Sequence, residues 1–365
     1  MREHGDADRL YREWFGRAVG VLARTFRDLD LAEEAVQDAF AAALPRWRSD
    51  GLPDEPGAWI IHAARNRAID IIRRRRVGGE RERQAEELRQ LTTPAIEIDT
   101  DAGIPDERLA LMFTCCHPAL AADARSALTL RLVAGLTVEE IARAYLVPAP
   151  TIAQRLVRAK KRVREAGIPL SLPPDHALPE RLDGVLTVLY VLFGEGHSAT
   201  AGDDAVRASL CLEAIRLGRL VVALMPDEPE ARGLLGLLLL TDARRPARVA
   251  ADGAFIPLEH HDRARYDADR TEEGDALVRD ALRGGGGAYA LQGAIAALHS
   301  TAPSFEETDW PQVVALYDLL VERAPSPIVE LNRALACSYA EGPAAALPIL
   351  DALEAGGRLA GHAPL

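Results

Sequence analysis

The stretch Leu136–Arg164, LTVEEIARAYLVPAPTIAQRLVRAKKRVR, decides how this chain is read, because it spells a helix, a tight turn and a second helix with a cationic outer face. Thr137 suits an N-cap, and Glu139 and Glu140 put carboxylates at the positive end of the helix dipole. Ile141, Ala142 and Tyr145 can turn inward before Leu146, Val147 and Pro148 break the helix, since a residue preceding proline disfavours helical backbone. Pro150 fits the first turn of the second helix, where Ile152, Leu156, Ala159 and Val163 recur at helical spacing. That register leaves Thr151, Gln154, Arg155, Arg158, Lys161 and Arg162 facing outward, with Pro150 at their leading edge. In such a helix-turn-helix the start of the second helix enters the DNA major groove. Gln and Arg there pair with adenine and guanine edges, and later cations meet phosphate. A plain amphipathic surface helix with a solvated basic face would show the same composition.

Composition supplies the setting. The chain has 365 residues, room for two or three domains, with few aromatics and much Ala, Leu, Arg and Glu, which favours an all-α fold. Its net charge of -12 looks wrong for a DNA binder until it is split. Residues 1–169 hold 27 Lys and Arg against 26 Asp and Glu, so the excess acid belongs to the remainder. Cys115, Cys116, Cys211 and Cys337 lack CxxC spacing, and Met1–Gly20 carries charges throughout, unlike a secretory signal. The longest apolar run, Gly233–Leu240, is far too short to cross a bilayer, so no membrane association is expected and a cytoplasmic location is.

The N-terminal third reads as three helices. Leu10–Phe26 and Leu31–Leu44 show apolar residues at three- and four-residue spacing, and Asp28 and Asp30 are good entry residues for the second. Its polar face carries Glu33, Glu34, Gln37 and Asp38. Gly57–Arg76 gives a third helix with Trp59, Ile60, Ala63, Ala64, Ala68, Ile69 and Ile72 as the apolar set. Six arginines and one aspartate lie between Arg65 and Arg76, a surface suited to following phosphates, and the amide of Asn66 between two arginines suits a base edge. Arg73–Arg76 would also offset the helix dipole without any DNA.

The acidic AEEAVQDAF helix, the WIIHAARNRAIDIIRR helix and the separated LTVEEIA and TIAQRLVRAKKRVRE pair, in this order over the first 165 or so residues, resemble bacterial RNA polymerase sigma factors of the extracytoplasmic-function (ECF) class in the sigma-70 family. The resemblance implies a region 2 helical bundle over residues 1–77, an acidic linker over 78–107 and a region 4 helix-turn-helix over 108–166. It implies two partners, core RNA polymerase and promoter DNA. Glu33, Glu34, Gln37, Asp38 and Phe40 would form the contact face for the polymerase clamp helices. Arg65, Asn66, Arg67 and Asp70 would contact the opened minus-ten strand, with Arg73 and Arg74 on phosphates. Pro150, Thr151, Gln154, Arg155, Arg158, Lys161 and Arg162 would read the minus-thirty-five element. In the linker, one short helix is expected near Arg83–Leu91, and Glu97, Asp99 and Asp101 have the charge to mimic RNA.

Cys115, Cys116 and His117 invite a metal reading, but adjacent helical residues point about 100° apart, and Leu109, Leu111, Met112, Phe113 and Leu120 mark the segment as core. No metal and no cofactor is expected. A proline-rich joint (167–180) precedes a second half that reads as helical hairpins over 181–365, with helices at Leu182–Phe193, Ala205–Leu224, Glu230–Ala243, Asp275–Leu282, Ala288–His299, Trp310–Arg323, Pro327–Ala340 and Pro343–Glu354. The last pairs look like a tetratricopeptide repeat, and the whole half resembles the helical C-terminal extension of a sigma subgroup. It departs at Glu259–Asp267, EHHDRARYD, where two histidines stand together. With no capping helix before Leu365, an unpaired apolar face is expected near Leu350–Leu359.

Glu195, His197, Glu259, His260, His261 and Asp262 supply hydrolase-type or metal-type groups, but no HExxH, GxSxG or similar motif supports them, so no catalytic residue and no enzyme activity is assigned. The extension reads better as a regulatory surface for a protein partner, or as an acidic domain that covers the basic faces of Arg65–Arg76 or Arg155–Arg164. Two other classes stay open at this point. One is a dimeric operator-binding regulator with a sensing helical domain, and the other an enzyme with an accessory DNA-binding region.

Overall fold

The computed structural model describes residues 2–76, 107–145, 147–197, 204–250 and 254–356, and those residues are helical with no strand beyond an isolated bridge between Val249 and Phe255. The expected linker helix and the acids Glu97, Asp99 and Asp101 lie outside the described residues. The chain forms two compact units, Met1–Val191 and Leu192–Leu365.

In the first unit, α1 (Arg2–Phe26), α2 (Leu29–Asp50) and α3 (Pro56–Arg76) pack together. Arg27 ends α1 in the left-handed region at φ 53°, and the Asp28 carboxylate then accepts from the N–H groups of Asp30 and Leu31, which fixes the start of α2. Leu31–Leu44 is too short a prediction for α2, because Pro45 is accommodated inside the helix, which continues to Asp50. The core joins Phe15, Val19 and Leu22 of α1 to Ala32, Val36 and Phe40 of α2 and to Ile60, Ile61, Ala64, Ala68 and Ile71 of α3. This turns α3 relative to the sequence reading: Ile61 and Ile71 are core, whereas Trp59, Ala63, Ile69 and Ile72 are half-buried flanks. The apolar residues of α3 nearly encircle it, so spacing alone leaves its buried face ambiguous.

The same unit continues with α4 (Glu107–Cys115), α5 (Ala122–Leu132), α6 (Val138–Ala144), α7 (Ala149–Glu165) and the start of α8 (Leu178–His197). Glu107, expected to end the linker, instead opens α4 and pairs with Arg24 at 2.7 Å. Leu109, Leu111, Met112, Phe113 and Leu120 are buried, as are Cys115 and Cys116, and burial pushes the Cys116 thiol up to about 12. Gly16 and Gly20 let α1 approach this half closely. A Cβ on Gly16 would lie 2.3 Å from the Val133 carbonyl oxygen, and one on Gly20 would lie 2.6 Å from that of Glu107.

The second unit takes the end of α8, then α9 (Asp204–Leu224), α10 (Pro229–Ala243), α11 (Ala268–Arg283), α12 (Ala288–Thr301), α13 (Trp310–Arg323), α14 (Pro327–Glu341) and α15 (Pro343–Ala355). Helix α10 is buried on nearly all sides, and its Gly233 and Gly236 admit α12 and α11: a Cβ there would meet Ala290 N at 2.7 Å and the Val278 side chain at 2.6 Å. The Glu230 carboxylate accepts from the N–H groups of Gly287, Tyr289 and Ala290, capping α12 from a neighbouring helix. Helix α11 begins two turns before the expected Asp275, because Asp267 caps it by accepting from Arg270 N. Near the C-terminal end, Leu335, Leu347 and Leu350 are exposed, and residues 357–365 lie outside the described set.

Candidate nucleic-acid and polymerase interface

Helix α7 owes its orientation to what precedes it. Thr137 and Glu140 form a reciprocal capping box, with Glu140 N donating to Thr137 Oγ1 at 3.1 Å and Thr137 N donating to Glu140 Oε2 at 2.8 Å. Pro148 and Pro150 then set the start of α7, whose Ile152, Leu156, Ala159 and Val163 are all buried at the expected register. Pro150, Thr151, Gln154, Arg158, Lys161 and Arg162 are exposed. Arg155 is half-buried, held by Asp123 at 3.1 Å and lying 6.0 Å from the Tyr145 ring. The exposed face also carries Val157, 64% exposed between Gln154 and Arg158, which a search for polar readers passes over.

The remaining cations of α7 turn the other way. Lys160 Nζ lies 2.6 Å from Asp30 and 3.0 Å from Glu33, and Arg164 lies 3.5 Å from Asp30. From α5, Arg131 donates to Glu33 at 2.6 Å. Glu33 is therefore buried among cations of the second half of the unit and does not face outward on α2 as its spacing suggested. Burial disfavours the Lys160 charge, but Glu33 and Asp30 outweigh it and leave its pKa above the ordinary value. A groove of about 490 Å³ runs along this seam between Arg24, Asp30, Lys160 and Arg164.

Of the other expected polymerase contacts, Phe40 is a correction: it is 2% exposed and packs edge-on to Tyr11 at 4.8 Å, so it belongs to the core. Gln37 donates to Glu33 at 3.0 Å, Asp38 pairs with Arg67 at 2.5 Å and Glu34 pairs with Arg75 at 2.7 Å. Among these five residues only Glu34 is exposed. On α3, Asn66, Asp70, Arg73 and Arg74 are exposed, whereas Arg65 and Arg67 are half-buried. Asp70 lies 3.8 Å from Arg73. Asn66 also borders a shallow hollow of about 570 Å³ with Trp59, His62 and Pro53, and its amide lies 3.3 Å from His62 Nδ1.

A three-helix bundle with a basic third helix, followed by a helix-turn-helix, is the arrangement found in sigma factors, and comparison with known families agrees. Residues 10–77 match Sigma-70 region 2 and residues 110–163 match Sigma-70, region 4, while residues 181–282 match a family of unknown function, DUF6596. The chain is thus a sigma-70-type, ECF-like sigma factor of transcription initiation, and its class binds core RNA polymerase and promoter DNA. It belongs to the same family as an uncharacterized protein of Rhizobium meliloti (strain 1021), R00370, with which it is 44% identical over 349 residues, 95% of this chain and 82% of that one. It is also similar to the ECF RNA polymerase sigma factor SigK of Mycobacterium tuberculosis (strain H37Rv), 29% identical over 160 residues that span 42% of this chain and 82% of SigK. No solved structure matches the chain.

Proposed function

We propose that the outward face of α7 reads the minus-thirty-five promoter element, that α3 captures the opened minus-ten strand, and that the acidic side of α2 docks on core polymerase. The observation that carries this is the split of α7 into an apolar face that is buried and a polar face, Thr151, Gln154, Arg158, Lys161 and Arg162, that is exposed. Gln154 and Arg158 read base edges, Val157 contacts a thymine methyl, and Lys161 and Arg162 meet phosphate. Arg155 positions the helix through Asp123. On α3, a base released from its stack would be received beside Trp59, His62 and Asn66, with Arg73 and Arg74 on phosphates.

Docking needs one prior step. Glu33 and Asp30 are engaged by Arg131, Lys160 and Arg164, so polymerase must release region 4 from α2 before it can use the whole acidic face. Glu34, with its exposed pair to Arg75, gives the first foothold. The extension acts as a helical regulatory domain, stacked in tetratricopeptide-like hairpins and open to a protein partner.

The test is transcription from fragmented genomic DNA with purified core polymerase, with and without the chain, followed by mapping of transcript starts. New starts that share two spaced upstream elements are expected. A chain that binds duplex DNA specifically but never core polymerase would overturn the reading in favour of an operator-binding regulator.

A further inference from the structure

Among the described residues, one part of the second unit brings arginines together with no carboxylate paired to them. Arg244 follows α10, Arg248 lies one turn further on, and Arg263 opens a short turn in the EHHDRARYD segment. Around them stand His197 at the end of α8, His261, Tyr266, and His299 near the end of α12. Arg263 lies 5.9 Å from the Tyr266 ring, whose hydroxyl stands 3.0 Å from His261 Nδ1, and Arg244, Arg248 and Arg263 all act electrostatically on His261, as Arg244 and Arg263 do on His299 and Tyr266.

Among the described residues, the contacts of these cations are to groups other than carboxylates. Arg263 donates through Nη1 to the His299 and Ala302 carbonyl oxygens at 2.6 and 2.7 Å, while its Nη2 is buried with no hydrogen-bond partner. Arg248 donates to the His197 carbonyl oxygen at 3.2 Å and covers the Phe255 ring at 5.6 Å. The Arg244 charge is acted on by Tyr266, Tyr317 and the two other arginines, and among the described residues no carboxylate pairs with it. The buried carboxylate closest in sequence, Asp242, is already taken by Arg245 and Arg270. Glu306, on which Arg263 acts weakly, is fully exposed.

Burial first, and then the like charges of Arg248 and Arg263, bring the Arg244 guanidinium down to about 10. The imidazoles are neutral at pH 7, with His299 lowered to about 4 and His197 to about 3 by burial and neighbouring arginines. The Nδ1 atoms of both are buried and without a partner. Arginines crowd the histidines, which argues against a cation, and the described residues hold no cluster of His, Cys, Asp and Glu able to bind a metal. The three arginines are half-buried, and keeping like-charged guanidinium groups together with reduced hydration is unfavourable unless an opposite charge joins them. Their planar forks suit the paired oxygens of a carboxylate or phosphate.

We propose that Arg244, Arg248 and Arg263, with His197 and His299 beside them, form a binding site in the C-terminal domain for a small oxyanion, the carboxylate or phosphate group of a metabolite-sized ligand. The domain then carries a chemical input of its own, separate from the DNA-reading face.

Isothermal titration of the full-length chain with inorganic phosphate and with malonate, each against sodium chloride at equal ionic strength, tests this. Saturable heat with at least one anion is expected, and the arm that gives it tells phosphate from carboxylate. Arg244→Met and Arg263→Met should each raise the half-saturating concentration by about tenfold or more, whereas Arg158→Met on α7 should leave it unchanged. Should the variants fold poorly, phenylglyoxal labelling of the wild-type chain, mapped by mass spectrometry, gives a second readout in which the bound anion should shield Arg244 and Arg263. No saturable response to either anion, a response that survives in both variants or disappears in Arg158→Met, or labelling of Arg244 that the anions do not slow would each overturn the proposal.

Discussion

The acidic face of α2 and the basic face of α7 lie in the same unit and look alike in sequence, as rows of charge at helical spacing. Their fates differ. The outward cations of α7 face solvent, with Arg158 in no ion pair among the described residues and Lys161 in only a loose 3.6 Å pair with Glu165. On α2, by contrast, Glu33 and Asp30 are consumed by Arg131, Lys160 and Arg164. Charge at the right spacing therefore shows that a face is polar, and only packing decides whether it is already partnered.

The comparison breaks most sharply at Glu33. Glu33→Ala leaves Arg131 and Lys160 without their shared carboxylate in a site where all three side chains are largely buried, and should lower the stability of the first unit by about 3 kcal/mol. Chemical denaturation followed by circular dichroism measures it, and a loss below about 1 kcal/mol would mean that the pairing is as weak as a surface one.

Uncompensated charge in the second unit should appear as acid sensitivity. His197 and His299 stay neutral in the folded chain down to about 3 and 4, whereas the unfolded chain takes up those protons near 6.5. The folded pKa values are depressed, so the contribution is complete above pH 6.5 and declines as pH falls from 6.5 toward 3. Stability should drop by several kcal/mol, on the order of 3 for each histidine, between pH 7 and pH 4, read by hydrogen exchange in peptides from α10 and α12, and His299→Asn should flatten that slope.

Gly20→Ala sharpens the contrast without altering charge. Its Cβ would meet the Glu107 carbonyl oxygen at 2.6 Å, which should cost about 1–3 kcal/mol by overpacking and loosen region 4 from α1. Tighter binding to core polymerase is the expected outcome, and unchanged or weaker binding would show that α2 is not masked. On the open face, Arg158→Ala should cost about 1–3 kcal/mol of promoter affinity and relax preference at one base pair, whereas Lys161→Met should weaken all sequences alike and reduce the salt slope by about one. The smallest effect belongs to Glu34→Gln, whose exposed pair with Arg75 is worth less than about 1 kcal/mol to stability, though polymerase affinity should fall measurably.

Most helix ends were legible because prolines and caps mark them. Trp310–Arg323 agrees with the sequence reading to the residue, and the buried register of α7 does so as well. Failures cluster where a local pattern allows two answers or a distant partner decides. Helix α3 carries apolar residues on adjoining faces, and contact with α1 and α2 chose Ile61 and Ile71 over Ile69 and Ile72. Phe40 was taken for a contact residue, although Tyr11 buries it from a different helix. Glu33 meets partners 98 and 127 positions away, a separation that no periodicity reports. The arginine cluster was missed for another reason. Arginine in a loop reads as surface, and the histidines and acids of the same segments carry the more conspicuous chemistry, while Arg244, Arg248 and Arg263 are the groups that the fold draws together.

If α2 docks on core polymerase as proposed, the ion pairs that hold region 4 to α2 would make this chain its own competitor. A tethered rival acts at an effective concentration on the order of millimolar, so polymerase would then have to displace it with many weak contacts made together, and a partial match would gain little. On that reading, polymerase engagement would depend on how often the Glu33 and Asp30 pairs open more than on how much protein is present.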